Sequence, residues 1–546
     1  MSARRILLAV GLVLHLSLAG AQTAAATADL DWRYNVQPGD TLITLTEAWL
    51  APPRGWRDLQ KLNRLADPQR LKPGSTLRMP VAWLRREASV AETLFVKGEV
   101  TRQRGSVTEP LAAGATLQSG DRLRTGAQAS TSLRFADGSR LLIPPQSEVV
   151  LEQLLVLGRG ALPSVRLGVI KGGADSQVAP NAQRVPLYEV QTPHVNLGVR
   201  GTQFRVQTAA GATRMSVLEG ALHADGLSAD VAAGQGLLAE GTARAVTPLL
   251  AAPDLSAMPP LAERLPMQFR WPATPVGAVA WRAQLFERFV PGAVERLLLD
   301  ARVDAPTAAW PEAGEVLDGD YTLRVRGIDA RGLEGAATDL AVQLRARPEP
   351  PFIQSPAPGA VSYTGGVALS WSRNTAAPRV RLQIARDAGF QDLVLQPPPL
   401  DAASFDAKLP DGLYHVRVGS VEASGRAGPF GDSQTVEIKP PPPSPPPAEP
   451  EASDAGLTLR WRGDPSVTRY ELEWARTAAF DTPDVQRFKT EQPVLVIPKP
   501  SPGTYFLRSR AFNAAGAASP WSQPQMIEQP YPRWLWLLPL LLVPLL

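Results

Sequence analysis

Residues 34–80 read YNVQPGDTLITLTEAWLAPPRGWRDLQKLNRLADPQRLKPGSTLRMP. Tyr34 and Val36 alternate into a short strand. Pro38-Gly39-Asp40-Thr41 is a turn that runs into a helix start, where the side-chain oxygen of Asp40 or Thr41 can cap free amides. Leu42, Leu45 and Trp49 recur at helical spacing. Trp56, Leu59 and Leu62 repeat that spacing and predict a second helix ending near Asn63. Pro73-Gly74 then turns the chain into a closing strand, Thr76–Met79. Strand, helix, helix and strand follow within one short stretch, a small α+β unit.

The carriers of a resemblance are the opening Y-x-V-x-x-G-D-T-L, the W-x-x-L-x-x-L-N of the second helix and the closing L-x-P-G-x-x-L-x-x-P. Together and in this order they resemble a LysM module, the small βααβ carbohydrate-binding fold of bacterial envelope proteins, here spanning 33–81. The resemblance implies an N-acetylglucosamine-containing glycan, peptidoglycan above all, as partner. It also implies a groove. One wall is Gly39, Asp40, Thr41 and Leu42; the other is Ala66, Asp67, Pro68, Arg70 and Leu71. Acetamido sugars are held in such grooves by main-chain amides and carbonyls over apolar side chains. Gly39 and Asp40 also form the turn and cap, and the two roles coexist. One copy suggests tethering assisted by another anchor.

From 91 to 245 the chain is rich in strand and turn signals. Leu133-Arg-Phe135 and Leu141-Leu-Ile143 flank Ala136-Asp137-Gly138-Ser139, a hairpin mark because Gly accepts the positive φ of the turn. Phe204 and Val206 point one way, Arg205 and Gln207 the other. The segments S-G-D-R-L-R-T-G at 119–126, F-A-D-G-S at 135–139, V-x-T-P at 190–193, V-R-G-T-x-F-x-V at 199–206, V-L-E-G-A-L at 217–222 and V-A-A-G-Q at 231–235 are similar to the FecR domain family. The family's β-rich periplasmic part serves protein–protein signalling. Its sigma-factor regulators also carry a cytoplasmic segment before a membrane helix, whereas only five residues precede the first apolar run here. The resemblance therefore implies a β scaffold without that regulatory activity.

Three repeats follow. Trp271, Trp371 and Trp461 each sit in a short apolar strand, and each is followed 43 to 50 residues later by Tyr321, Tyr414 or Tyr505 in a D/P-G-x-Y strand. The copies lie 90 to 100 residues apart, the length of one β-sandwich. They resemble fibronectin type III domains at 262–345, 350–438 and 454–528, the third also carrying Asn513, Gly516 and Pro520-Trp521-Ser522. The Trp–Tyr pairs are expected to fill the cores, with the tyrosine hydroxyl bonding back to the main chain. Lys439 to Pro450, KPPPPSPPPAEP, favours polyproline II, so 439–453 is expected to be a stiff spacer. The predicted class is mainly β and multidomain.

At the N-terminus, Arg4 and Arg5 precede the apolar run Ile6–Leu18, and Ala19-Gly20-Ala21 offers a small-x-small site. This fits a secretory signal at 1–21, or an uncleaved inner-membrane anchor. Residues 534–546, WLWLLPLLLVPLL, are short for a membrane span and broken by Pro539 and Pro544. They admit three readings: a membrane-associating tail, a removable sorting signal, or a segment docked on protein. There is no cysteine, so no disulfide, thiolate metal site or cysteine nucleophile exists. A net charge of +4 with interspersed signs lacks the basic stripe of a nucleic-acid binder. His194, His223 and His415 have no ligand-spaced partners, and no nucleophile elbow, HExxH or P-loop occurs. Neither a cofactor, a metal nor a catalytic residue is expected. The expectation is an exported, non-enzymatic envelope protein, a scaffold that binds peptidoglycan and an unidentified envelope protein. The alternative is a periplasmic regulator acting through the FecR-like part on a separate membrane sensor.

Overall fold

The computed structural model describes residues 30–159, 162–180, 187–209, 211–288, 294–311, 316–453 and 456–530. The segments 1–21 and 534–546 lie outside the described residues. The chain is mainly β and divides into two compact units, Met1–Ala346 and Arg347–Leu546.

The first unit opens with the strand Asp31–Asn35, paired antiparallel with Thr76–Pro80 so that Tyr34 faces Leu77. Between them stand the helices Leu42–Trp49 and Trp56–Asn63. Trp32, Leu42, Leu45, Leu59, Leu77 and Met79 form the core, as the helical and strand periodicities predict. That core is not closed by the module itself. Leu157, Leu162 and Leu187 of the following domain complete it. Main-chain bonds reinforce the docking: Arg85 N donates to Trp49 O at 2.8 Å and Gly158 N to Arg85 O at 2.9 Å. Gly158 has φ +57°, and a Cβ there would collide with the Trp49 ring, so both the turn and the contact require glycine.

The strands from Arg86–Ala88 to Ala243–Pro248 close into a continuous β barrel around one apolar core. The hairpin at Ala136–Ser139 forms as predicted, with Phe135 N donating to Ser139 O at 2.9 Å. The strand Leu162–Gln177 organises the domain. Its first part pairs with Glu148–Leu157 and its second part with Gln203–Ala209. The change of partner falls at Gly172, where a Cβ would lie 2.5 Å from Ser147 Cα.

The first sandwich sets the five-stranded sheet that includes Ala280–Glu287, Leu297–Val303, Gly319–Ile328 and Glu334–Leu344 against the pair Met267–Arg270 and Thr307–Trp310. It docks on the barrel. Leu142, Phe286 and Leu297 form an apolar contact, Ser130 Oγ donates to Leu297 O at 2.7 Å, and Ser216 Oγ donates to Glu334 O at 2.7 Å. A charged network fills the junction. Glu334 accepts from Arg326 Nε and stands 3.5 Å from both Arg205 Nη1 and Arg282 Nη1. Arg282 also pairs with Asp300, and Arg326 approaches Asp175 at 3.9 Å. Arg205 points away from Phe204 and Val206, as the alternation predicts, yet it is buried because the sandwich covers that face.

In the second unit both sandwiches keep the predicted core pairs. Trp371 and Tyr414 are buried in one, Trp461 and Tyr505 in the other. The hydroxyls of Tyr321, Tyr414 and Tyr505 donate to the carbonyls of Leu317, Pro410 and Ser501 at 2.6, 2.9 and 3.0 Å, each four residues upstream. In the last sandwich, Asn513 Oδ1 accepts from Ala517 N at 2.9 Å, and Trp521 lies between the guanidinium groups of Arg508 and Arg510.

The expected spacer at 439–453 differs in the structure. Pro442, Pro445 and Ala448 are buried, at the three-residue repeat of a polyproline II face. Gln525 fixes the segment through Ala448, its Oε1 accepting from the amide and its Nε2 donating to the carbonyl, both at 2.7 Å. Glu449–Ser453 then pairs with Gly456–Arg460 as the first strand of the last sandwich, which therefore starts before the expected residue 454. Ser444 Oγ donates to Pro520 O at 2.8 Å and Ala448 joins the core of that sandwich, so the segment is a strap on it and not a free rod.

Candidate functional site

The turn before the first helix is held by one carboxylate. Asp40 Oδ2 accepts from Gln37 N at 2.6 Å and from Tyr34 Oη at 2.9 Å. Gly39 supplies the positive φ, +92°, that the turn requires. Thr41 is the helix N-cap. Its Oγ1 accepts from Thr44 N, and its own N donates to Thr44 Oγ1, both at 3.1 Å. Asp40 thus shapes the turn and Thr41 caps the helix.

The second wall meets the first directly. Leu42 N donates to Pro68 O at 3.1 Å. Across the loop, Asp67 Oδ1 accepts from Gln69 N at 2.8 Å, and the exposed Arg70 stands 4.0 Å from Asp67. Gly39, Ala66, Asp67 and Arg70 are exposed; Asp40, Thr41, Pro68 and Leu71 are half-buried. Leu42 is different. Its side chain is wholly buried in the module's core and its amide is spent on Pro68. Leu71 also packs against that core.

A residue whose part the sequence reading did not recognise is Asn63. Its Nδ2 donates to Arg78 O at 2.8 Å, and its Oδ1 accepts from Arg78 N at 2.7 Å. This reciprocal pair ties the second helix to the closing strand and so fixes where the loop at 64–71 begins. The fixed spacing of that Asn after the helical leucines was the available signal.

Burial and the hydrogen bond to Asp40 push the Tyr34 phenol up to about 12. Asp40→Asn is expected to let Tyr34 titrate at lower pH, nearer its ordinary value of 10.0. Ring-labelled NMR of Tyr34 against pH checks this, and an unchanged titration would mean that the Tyr34–Asp40 bond does not form in solution.

Of the histidines, His223 lies 3.2 Å from Asp230 at the surface, while His194 and His415 are half-buried. Among the described residues no group of three or more His, Cys, Asp or Glu is placed to hold a metal. No described helix is long and apolar enough to cross a membrane.

Two family models match the chain: LysM domain over residues 34–80 and FecR protein over residues 121–223. The chain carries a LysM domain and a FecR domain. Both are binding or regulatory types of domain, and both families are typically extracytoplasmic or associated with the envelope. No curated protein matches the chain. Among solved structures, the chain is similar to the FN1–FN3 domains of chicken CNTN1, at 15% identity over 47% of this chain and 90% of that one, with a TM-score of 0.25. It is also similar to the fibronectin(III)-like modules of Clostridium thermocellum CbhA, at 15% identity over 33% and 93%, with a TM-score of 0.22. A proposed anti-sigma factor from Parabacteroides distasonis matches at 13% identity over 23% of this chain and 59% of that one, with a TM-score of 0.20. The FecR match at 121–223 falls within the barrel described above.

Proposed function

We propose that the chain is a non-enzymatic cell-envelope protein that holds peptidoglycan through its LysM domain and presents the FecR domain and the sandwiches as a scaffold for protein partners. The observation that carries this reading is the joined pair of loops. Leu42 N–H bonded to Pro68 O joins the turn of Gly39, Asp40 and Thr41 to the loop that carries Ala66, Asp67 and Arg70, with Gly39, Ala66, Asp67 and Arg70 exposed and Leu42 buried. A main-chain rim of this kind suits an acetamido sugar, whose amide both donates and accepts. Pro68 and the half-buried Leu71 offer apolar surface to the N-acetyl methyl group.

The test is co-sedimentation of the exported chain with purified sacculi. The wild-type protein is expected to pellet. Ala66→Trp, an exposed position where a large ring would fill the groove without entering the core, is expected to weaken binding by about tenfold or more, equal to roughly 1.4 kcal/mol. A wild-type protein that stays in the supernatant would overturn the reading. A second reading, supported by the FecR match, is a periplasmic regulator acting on a separate membrane sensor. Crosslinking in intact cells separates the two: recovery of a membrane sensor together with failure to bind sacculi favours the regulator.

A further inference from the structure

Where the first sandwich docks on the FecR domain, the junction holds a cavity of about 760 Å³. Six cationic side chains line it. Lys171, Arg205 and Arg214 come from the FecR domain, and Arg282, Arg302 and Arg326 come from the sandwich. Only the three carboxylates of the buried network, Asp175, Asp300 and Glu334, face them within the cavity. Arg302 has a further partner outside the lining, Asp304 at 2.9 Å, where both groups are exposed. Arg214 donates to the main-chain carbonyl of Arg331 at 2.6 Å, which supplies no compensating charge.

Arg205 decides what such a cavity would take. Its side chain is more than nine-tenths buried, and Nη2 donates to Gly335 O at 3.2 Å. Its Nη1 has no hydrogen-bond acceptor, the carboxylate of Glu334 standing at 3.5 Å. Buried donors left unbonded are costly, and here the shortage is of acceptors and of negative charge. Burial and the neighbouring Arg326 push the Arg205 guanidinium down to about 10, in keeping with a site short of anions.

We propose that this cavity binds a small polyanion bearing carboxylate or phosphate groups, clasped between the FecR domain and the first sandwich. Each domain contributes three of the six cations, so the ligand bridges them and stabilises the docked arrangement by binding only when both are in place. The exposed Lys171 and Arg302 draw the anion in, and the unbonded Nη1 of the buried Arg205 then offers a charged donor that suits carboxylate or phosphate. The volume lies within the usual range for small-molecule sites.

Titration calorimetry and thermal unfolding of the full chain with sodium pyrophosphate and sodium citrate, against sodium chloride at matched ionic strength, test this. At least one probe is expected to bind and to raise the unfolding temperature of the unit that holds the junction. A response to pyrophosphate alone identifies a phosphate-bearing ligand, and a response to citrate alone a carboxylate-bearing one. Lys171→Glu combined with Arg302→Glu, both exposed, is expected to weaken binding by about tenfold or more. The milder Lys171→Gln should weaken it in the same direction, and it serves should the double variant unfold early. Neither probe acting beyond chloride at millimolar concentration, or variants responding as wild type does, would overturn the proposal.

Discussion

Replacing Glu334 by Ala is expected to destabilise the first unit by about 3–5 kcal/mol, the cost of removing one partner from a buried charge network. The residue is nearly inaccessible, and Arg326, Arg282 and Arg205 all converge on its carboxylate. Taking it away leaves three guanidinium groups with only Asp175 and Asp300 nearby. The same network sets an acid dependence. Burial raises the Glu334 carboxyl, but the three arginines outweigh burial and hold it at about 2, below the ordinary 4.5. A depressed carboxyl stabilises the fold above pH 4.5, and that contribution is lost as pH falls from 4.5 toward 2. Asp175 acts in the opposite sense, because burial pushes its carboxyl up and the folded state takes its proton first. The readout is therefore a difference. Denaturant unfolding of wild type and of Glu334→Gln should converge as pH falls through that window. Hydrogen exchange in Gly319–Ile328 and Gln203–Ala209 locates the effect at the junction. An Ala variant within about 1 kcal/mol of wild type would show that the network contributes little. Pairing Arg326→Met with Glu334→Leu should recover only part of the loss, since Arg205 and Arg282 keep their charge and still lose the Glu334 carboxylate.

Much of this architecture was legible in the sequence, for local reasons. Tyr34 and Val36, the Gly39-Asp40-Thr41 turn and the leucine spacing report their structures because strand alternation, capping and helical periodicity are properties of a few adjacent residues. The Trp–Tyr pairs were legible for a related reason: each sandwich needs the same filler at the same depth. What stayed hidden depended on what lies across a face. Alternation correctly sends Arg205 away from Phe204, but it cannot say whether that side meets water or a second domain. Proline content marks 439–450 as extended, and says nothing of the sandwich whose core Ala448 joins. Leu42 fell between the two cases. Its place beside Gly39 and Asp40 made it part of the groove wall, while its helical phase with Leu45 made it core. In the structure its side chain is wholly buried in the core, and its amide donates to Pro68 O.

The docking of the LysM domain carries the second large effect. Leu157 and Leu162 face each other at the end of the FecR hairpin, and both are buried in the LysM core. Truncating buried leucines to alanine costs about 2–5 kcal/mol each, by loss of transfer energy and by the cavity left behind. The two lie in one cluster, so their effects will not simply add. Leu157→Ala with Leu162→Ala is therefore expected to lower hydrogen-exchange protection in Leu42–Trp49 and Trp56–Asn63, while the barrel strands Gln203–Ala209 and Ala212–Glu219 keep theirs. Such selectivity follows from position, because these leucines point out of the barrel core and into the module. Unchanged protection in the two helices would mean that the module folds alone and that its contact with the hairpin is incidental. A loss confined to the helices has a consequence for function. A LysM domain whose core is completed by its neighbour cannot swing freely, so under the proposed function a bound glycan would meet the FecR domain in one fixed orientation. Sacculus binding should then weaken in the double variant even though every groove residue is intact.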